Sequence, residues 1–362
     1  MIDFWTTGAT ARVTIDTYMR RRGRAIAGHF RTRAYDEACG ALRIQSGPQV
    51  FAALERASCA EREVAARIWD AHAGLAPGAA RLNDPRRAQG RFDLLRTLYR
   101  EGFNRFNVWR AAEYESVDRF PVFVRVEADH LGPRSPLLRT HAEIAQTLGA
   151  LQRRGWRVDD LVIVEFCDTS GRDGLFRKYA AFNVGGQLLA CHAMAAQDWN
   201  VKSGQVTLDK AVVEEELAFV ETNPHEEALR RAFGLAGIDY GRVDYGVLDG
   251  RVQVWEINLN PTIGRLESRH HSLPPAVIAL RERVKTTFHE KLRAAFAALD
   301  APDDGREAVV VIEPALRSRL RREAVIRQPR EWILRRILDG YLHPTLGRPL
   351  RTFYRSFVKR GV

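Results

Sequence analysis

The 362-residue chain is 45% hydrophobic and 28% charged, with a net charge of +11, a composition that suits a globular protein with a buried core and excludes a disordered or collagen-like one. The charge is uneven: residues 315–362 carry thirteen Lys/Arg against three acids, so the body is close to neutral and is not, as a whole, a nucleic-acid-binding surface. No apolar run approaches the ~20 residues that span a bilayer, no signal-peptide core is present, and Cys39, Cys59, Cys167 and Cys191 lack metal-type spacing; reduced thiols in a cytoplasmic protein are the expectation.

In chain order, residues 13–35 hold a basic cluster (Arg20, Arg21, Arg22, Arg24, then Arg31 and Arg33) that reads as a helix with a solvated face. Residues 49–54 read as a short strand or helix start, and 60–72 as a helix burying Val64, Ala65, Ile68 and Trp69. Leu82 to Pro85 is a turn. Residues 91–101 form a predicted helix with Phe92, Leu95 and Tyr99 on one face; Gly102 ends it, and FNRFNVWRA continues as a strand. Residues 120–127 (FPVFVRVE) are a strand, followed by the loop Asp129-His130-Leu131-Gly132-Pro133. Residues 140–153 are an amphipathic helix with Ile144, Leu148 and Leu151 inward, and 161–166 (LVIVEF) an apolar strand. Residues 175–184 and 188–194 are two strands around the Gly185-Gly186 turn; Arg177 and Lys178 lie on opposite faces of the first. A loop containing Trp199 and Lys202 leads to the mostly helical stretch 210–233. Residues 276–299 are a long helix, 301–305 a linker, and 309–312 one more strand. The tail beyond alternates basic residues with Trp332, Phe353, Tyr354 and Phe357, a pattern that suits an anionic membrane surface or RNA as well as a helix packed on the body.

The most informative stretch is 237–264, GIDYGRVDYGVLDGRVQVWEINLNPTIG. It reads as strands 242–248 and 252–258 around an Asp249-Gly250 turn. Alternation places Val252, Val254, Glu256 and Asn258 on one face and Gln253, Trp255 and Ile257 on the other. A strict two-residue turn pairs Asp244 with Trp255. A three-residue loop, Asp249 to Arg251, instead sets Asp244 opposite Glu256, and this register is preferred because it gathers Asp244, Glu256 and Asn258 into one oxygen-rich site suited to Mg²⁺. Arg242, two residues before Asp244, is placed to hold a phosphate or an oxyanion beside the metal.

R-V-D-Y, then D-G, then W-E-I-N-L-N-P resembles the metal-binding end of the ATP-grasp superfamily, which includes D-alanine–D-alanine ligase and glutathione synthetase. The resemblance implies an α+β ATP-grasp fold, two subdomains gripping ATP over 119–300, preceded by a small α/β domain over 1–118 and followed by a basic extension over 301–362. It implies Mg²⁺ (Mn²⁺ as an alternative) on Asp244, Glu256 and Asn258, with Arg242 catalytic. Arg125 stands where the family has a phosphate-contacting Lys, and an Arg is not a simple replacement. His130 lies in the loop that covers the phosphates, which here is poor in Gly. Glu165 and Phe166 match the linker at the adenine edge. Asp168 or Asp173 takes the ribose, Lys178 is preferred to Arg177 at the nucleotide, and Lys202 meets the γ-phosphate. Arg269, His270 and His271 follow the motif where acceptor contacts occur. The implied activity joins a carboxylate, activated as an acyl phosphate, to an amine or similar nucleophile, with small-molecule or peptide substrates. A kinase and a non-catalytic ATP sensor are the alternatives, and the tail adds contact with an anionic membrane or a nucleic acid as an expectation.

Overall fold

The structure, a computed structural model, describes residues 1–37, 41–129, 132–201, 206–263, 273–301 and 304–323. The first 82 residues build a parallel sheet from β1 (Ile2–Thr6), β2 (Phe30–Ala34), β4 (Gln49–Phe51) and β5 (Arg81–Leu82), in the order β2-β1-β4-β5. α1 (Gly8–Arg21) ends before the strand that carries Arg31 and Arg33, so the basic stretch is a helix and then a strand. Arg31 grips the buried Asp3 of β1 through two hydrogen bonds. α2 (Cys59–Leu75) starts on a reciprocal Ser58–Glu61 capping box and buries Val64, Ala65 and Ile68. β3 (Ala41–Gln45) lies outside this sheet and pairs antiparallel with β13 (Glu307–Val311).

α3 (Arg91–Arg100) leads to the first lobe, an antiparallel sheet β6-β8-β7 of β6 (Val108–Arg110), β7 (Val122–Val126) and β8 (Leu161–Glu165). Every residue of β8 is buried. Leu161 and Ile163 pack in the core under α4 (His141–Arg153), while Val162 and Val164 join Leu95 and Phe106 on the other face. α4 begins where the Thr140 side chain accepts from Glu143 N, and buries Ile144, Leu148 and Leu151.

The second lobe is the antiparallel sheet β10-β9-β11-β12. Its strands are β9 (Phe176–Val184), β10 (Gln187–Ala196), β11 (Tyr240–Leu248) and β12 (Arg251–Asn258). α5 (Lys210–Thr222), α6 (Glu226–Ala236) and α7 (Pro275–Leu299) complete the lobe. The helical stretch expected over 210–233 is broken at Asn223-Pro224, with Asn223 in the left-handed region that caps α5. The largest core merges this lobe with the N-terminal sheet, joining Phe4 and Phe51 to Phe182, Tyr240 and Phe296. The architecture is α+β, with two antiparallel lobes that both line one cleft. β6, before 118, pairs with β8 of the first lobe, and β13, after 300, pairs with β3.

Two expectations fail between α3 and β6. The buried face of α3 is Arg91, Leu94, Leu95 and Leu98, with Phe92 and Tyr99 only half-buried. Of FNRFNVWRA only Val108–Arg110 is strand. The residues before it serve another element: the Asn104 side chain donates to Val254 O (2.8 Å) and accepts from Val254 N (2.9 Å), while Arg105 N donates to Gln253 Oε1 (2.8 Å). β12 is an edge strand, and these groups supply the partners its outer backbone lacks.

Candidate nucleotide site in the cleft

The site starts with the β11–β12 hairpin. Its turn is Asp249-Gly250, both at positive φ, with Leu248 paired to Arg251. The loop is therefore two residues long, not three, as the Asp-Gly pair favours. Asp244 still faces Glu256, because the register jumps from Asp244–Glu256 to Tyr245–Val254 and leaves Trp255 as an extra, bulged residue. The bulge also reassigns faces. Val252 and Val254 join Ile257, Val243 and Tyr245 in the main core, while Trp255 packs with Leu95 and Phe123. Gly246 makes room for that ring: a Cβ there would lie 2.7 Å from Trp255 Cζ2.

The two facing carboxylates are held by cations. Asp244, 2% exposed, accepts from Arg242 at 2.7 and 3.2 Å and from Lys178 Nζ at 2.9 Å. Burial opposes its ionisation, but Arg242 and Lys178 outweigh burial and hold the carboxyl below the usual carboxylate range. Glu256, 12% exposed, is bound by Arg91 and, at 3.0 Å, by Arg125. Burial, with Arg91 close by, pushes the Arg125 guanidinium down to about 10. Arg91 is the residue that sequence reasoning missed. A first-turn helical Arg reads as solvated, and only the fold brings it to Glu256. Asn258 pairs with Arg242 in register, and its Oδ1 accepts from Asn260 N at 3.0 Å. Asn260 in turn donates to Ala11 O, fastening the end of the motif to α1.

Above these charges lies a half-open cavity of about 150 Å³ whose lining includes Phe123, Arg125, Val164, Phe166, Phe176, Lys178, Trp199, Asp244, Trp255 and Glu256. Trp199 lies 5.0 Å from Phe123 and 5.6 Å from Phe166, ring to ring. Lys178 lines this cavity, whereas Arg177 turns away to Asp173 and Glu215. Glu165 borders the cavity, but its side chain accepts from Asn107 N (2.9 Å) and pairs with Arg119 (3.0 Å). Burial raises its pKa against both partners. Asp168 is exposed and accepts from Ser170 N; exposed Asp173 pairs with Arg177. Lys202, His130, Arg269, His270, His271 and the tail from 324 lie outside the described residues. A larger cavity, about 290 Å³, includes Trp69, Asp84, Arg230 and Asp239 in its lining. Its polar groups are spent on joining loops, Arg230 on Glu226 and Gly186 O and Asp239 on Asn83 N, and it has no comparable pair of buried carboxylates.

Among the described residues no three His, Cys, Asp or Glu side chains converge as a self-contained metal cage. Two carboxylates and an amide fit Mg²⁺ held jointly with phosphate, since that ion usually takes one or two carboxylates plus substrate oxygens. Four cations bear on the two carboxylates, and Asp129 also attracts Arg125. Among the described residues no helix is long and apolar enough to cross a membrane.

No family model matches the sequence, and no curated protein matches it. Solved structures do. The chain is similar to D-alanine–D-alanine ligase from Bacillus anthracis complexed with ATP, at 12% identity over 83% of this chain and 98% of that one, TM-score 0.45. It is similar to the ATP-grasp ligase PsnB complexed with minimal precursor, at 12% identity over 82% and 98%, TM-score 0.47. D-cycloserine synthetase DcsG aligns at 14% identity over 81% and 99%, TM-score 0.44.

Proposed function

We propose that this chain is an ATP-dependent ligase that activates a carboxylate as an acyl phosphate for attack by an amine or a similar nucleophile, releasing ADP and phosphate. The observation that carries the reading is the base of the cleft: Asp244 and Glu256 face each other under an aromatic-walled cavity, with Lys178, Arg242, Arg91 and Arg125 on them. Phe123, Phe166, Phe176 and Trp199 provide surfaces for the base. Asp244, Glu256 and Asn258 would hold Mg²⁺ or Mn²⁺, which when bound neutralises phosphate charge and fixes its orientation. Lys178 and Arg125 turn from the carboxylates to the phosphates and align the terminal one for in-line transfer. Arg242, anchored by two hydrogen bonds to Asp244, would stabilise negative charge on the acyl phosphate and on the tetrahedral species formed by the nucleophile. A side-chain nucleophile is not part of the scheme. Cys191, the thiol beside Arg242, is pushed up to about 12 by burial and stays protonated.

The test is phosphorus NMR of the full chain with Mg-ATP, with and without a pool of amino and carboxylic acids. Acceptor-dependent ADP and free phosphate support the ligase. ADP with a new phosphoester resonance makes the protein a kinase. Bound but intact ATP across a wide pool makes it a sensor, and AMP with pyrophosphate overturns the mechanism.

A further inference from the structure

Arg91 opens α3 at a corner where the two lobes meet. Its Nη1 donates to the carbonyls of Val126 (2.9 Å) and Glu127, which close β7. Its Nη2 donates to Glu256 on β12. One buried guanidinium therefore ties the backbone at the end of β7 in the first lobe to a carboxylate of the second. Arg125, also from β7, reaches the same Glu256 oxygen at 3.0 Å. The two arginines differ in how they are held. The paired carbonyls fix the plane of Arg91 whatever Glu256 does, whereas Arg125 is the next-to-last residue of its strand and approaches Glu256 by its tip. A planar fork that spans two backbone acceptors and a carboxylate is a task for Arg. A lysine ammonium, a single point of charge, reaches either end but does not brace one against the other.

We propose that Arg91 is a positioning residue of the nucleotide site: it sets Glu256 in place and makes the meeting of the lobes and the presentation of this carboxylate a single event. The inference rests on the reading of the cleft as a metal-nucleotide site and adds to it a residue outside the motif that carries that reading. Arg91 acts through Glu256, not through the base-binding walls. Its loss therefore weakens the contribution of the metal and spares that of the base.

The same corner supplies its own control. Arg110 pairs with the Glu127 side chain and covers the Phe92 ring at 3.8 Å, so it braces α3 on β7 by its own carboxylate. ADP affinity of the full chain is measured by calorimetry in EDTA and in MgCl₂ for the wild type, Arg91→Lys, Arg110→Lys, Glu256→Gln and the Arg91→Lys/Glu256→Gln double variant. Far-UV circular dichroism confirms the fold of each. Arg91→Lys should bind ADP in EDTA as the wild type does and lose about 10- to 100-fold of the gain that Mg²⁺ brings, the range for removing a group that orients a metal ligand. Arg110→Lys should keep that gain. In the Glu256→Gln background Arg91→Lys should cause no further loss. The inference is overturned if Arg91→Lys keeps the full magnesium gain, if Arg110→Lys loses as much, or if the double variant loses more than Glu256→Gln alone. A wild type that binds no ADP under either condition refutes the nucleotide site itself, and this inference with it; a wild type that gains from Mg²⁺ beside an unaffected Arg91→Lys refutes the inference only.

Discussion

Asp244 is a stability element of the fold and, under the proposed function, also a metal ligand. It is 2% exposed and compensates two cations, Arg242 and Lys178. Because its pKa is depressed in the fold, its contribution is present above the ordinary carboxylate range and is lost as the pH falls through the folded value, in strong acid. At neutral pH, Asp244→Asn leaves two partly desolvated cations without their counter-charge, and unfolding in urea should show a loss of about 3–5 kcal/mol. Asp159→Asn is the comparison: Asp159 and its partner Arg157 are about three-quarters exposed, so its removal should change stability by less than about 0.5 kcal/mol. A loss near the Asp159 value at Asp244 would mean that Arg242 and Lys178 reach solvent when unpaired, and that the site is wetter than its burial indicates. At this scale the sequence was informative wherever a residue's role followed from its near neighbours. Asp244, Glu256 and Asn258 stand out because polar side chains interrupt apolar strands. Arg91 does not, since its partners are 35, 36 and 165 positions away.

Among elements, the contrast is between those that carry their own signals and those completed by others. α4 was legible from end to end because Thr140 caps it and Ile144, Leu148 and Leu151 mark one face. The bulge at Trp255 was not, since apolar side chains occupy both faces of β12 and leave the period of two without a visible break. The stretch before β6 looked like strand because Phe103 and Phe106 are apolar, while Asn104, its decisive residue, pairs with a strand 150 positions away. Asn104→Ala removes both partners of the Val254 peptide groups at the bulge. It should cost about 2–4 kcal/mol, read from urea unfolding, as expected for two buried backbone groups left unsatisfied. A cost within a few tenths would mean that water replaces the amide. α5 offers a pH-dependent case. Glu216 is buried against β10, and burial raises its pKa to about 7 against the pull of Arg281 and Lys285. A raised acid pKa favours the fold below the unfolded value, near 4.5, and that advantage disappears as pH rises through 7. Glu216→Gln does not titrate, so the stability of the variant relative to the wild type should rise by about 2–3 kcal/mol between pH 4 and pH 8. If the difference stays flat, Arg281, Lys285 and the Ala193 hydrogen bond balance burial, and Glu216 titrates in the fold as it does in the unfolded chain.

The cores divide the molecule unequally. The N-terminal sheet and the second lobe share one hydrophobic core, whereas the residues under α4 form their own. α3 stands between them, with Leu94 and Leu98 in the shared core and Leu95 among the residues that face β8. The first lobe is thus joined to the rest through a smaller apolar cluster, which includes Trp255, and through the arginines on Glu256. Both lobes line the half-open cavity, so under the proposed function a bound nucleotide would touch the first lobe as well as the second. Hydrogen exchange followed peptide by peptide reads this directly. Mg-ADP at about 100 times its dissociation constant stabilises a binding-competent state by about 2.7 kcal/mol, which limits added protection to about 100-fold. That protection should fall on β7, β8 and the Trp199 loop, where local opening exposes the cleft. β1 and β4, in the shared core, should be unchanged, because their amides exchange through larger openings. Protection spread evenly over the chain would show that the lobes open only with global unfolding. Protection confined to β11 and β12 would show a nucleotide held on one lobe, without closure of the other.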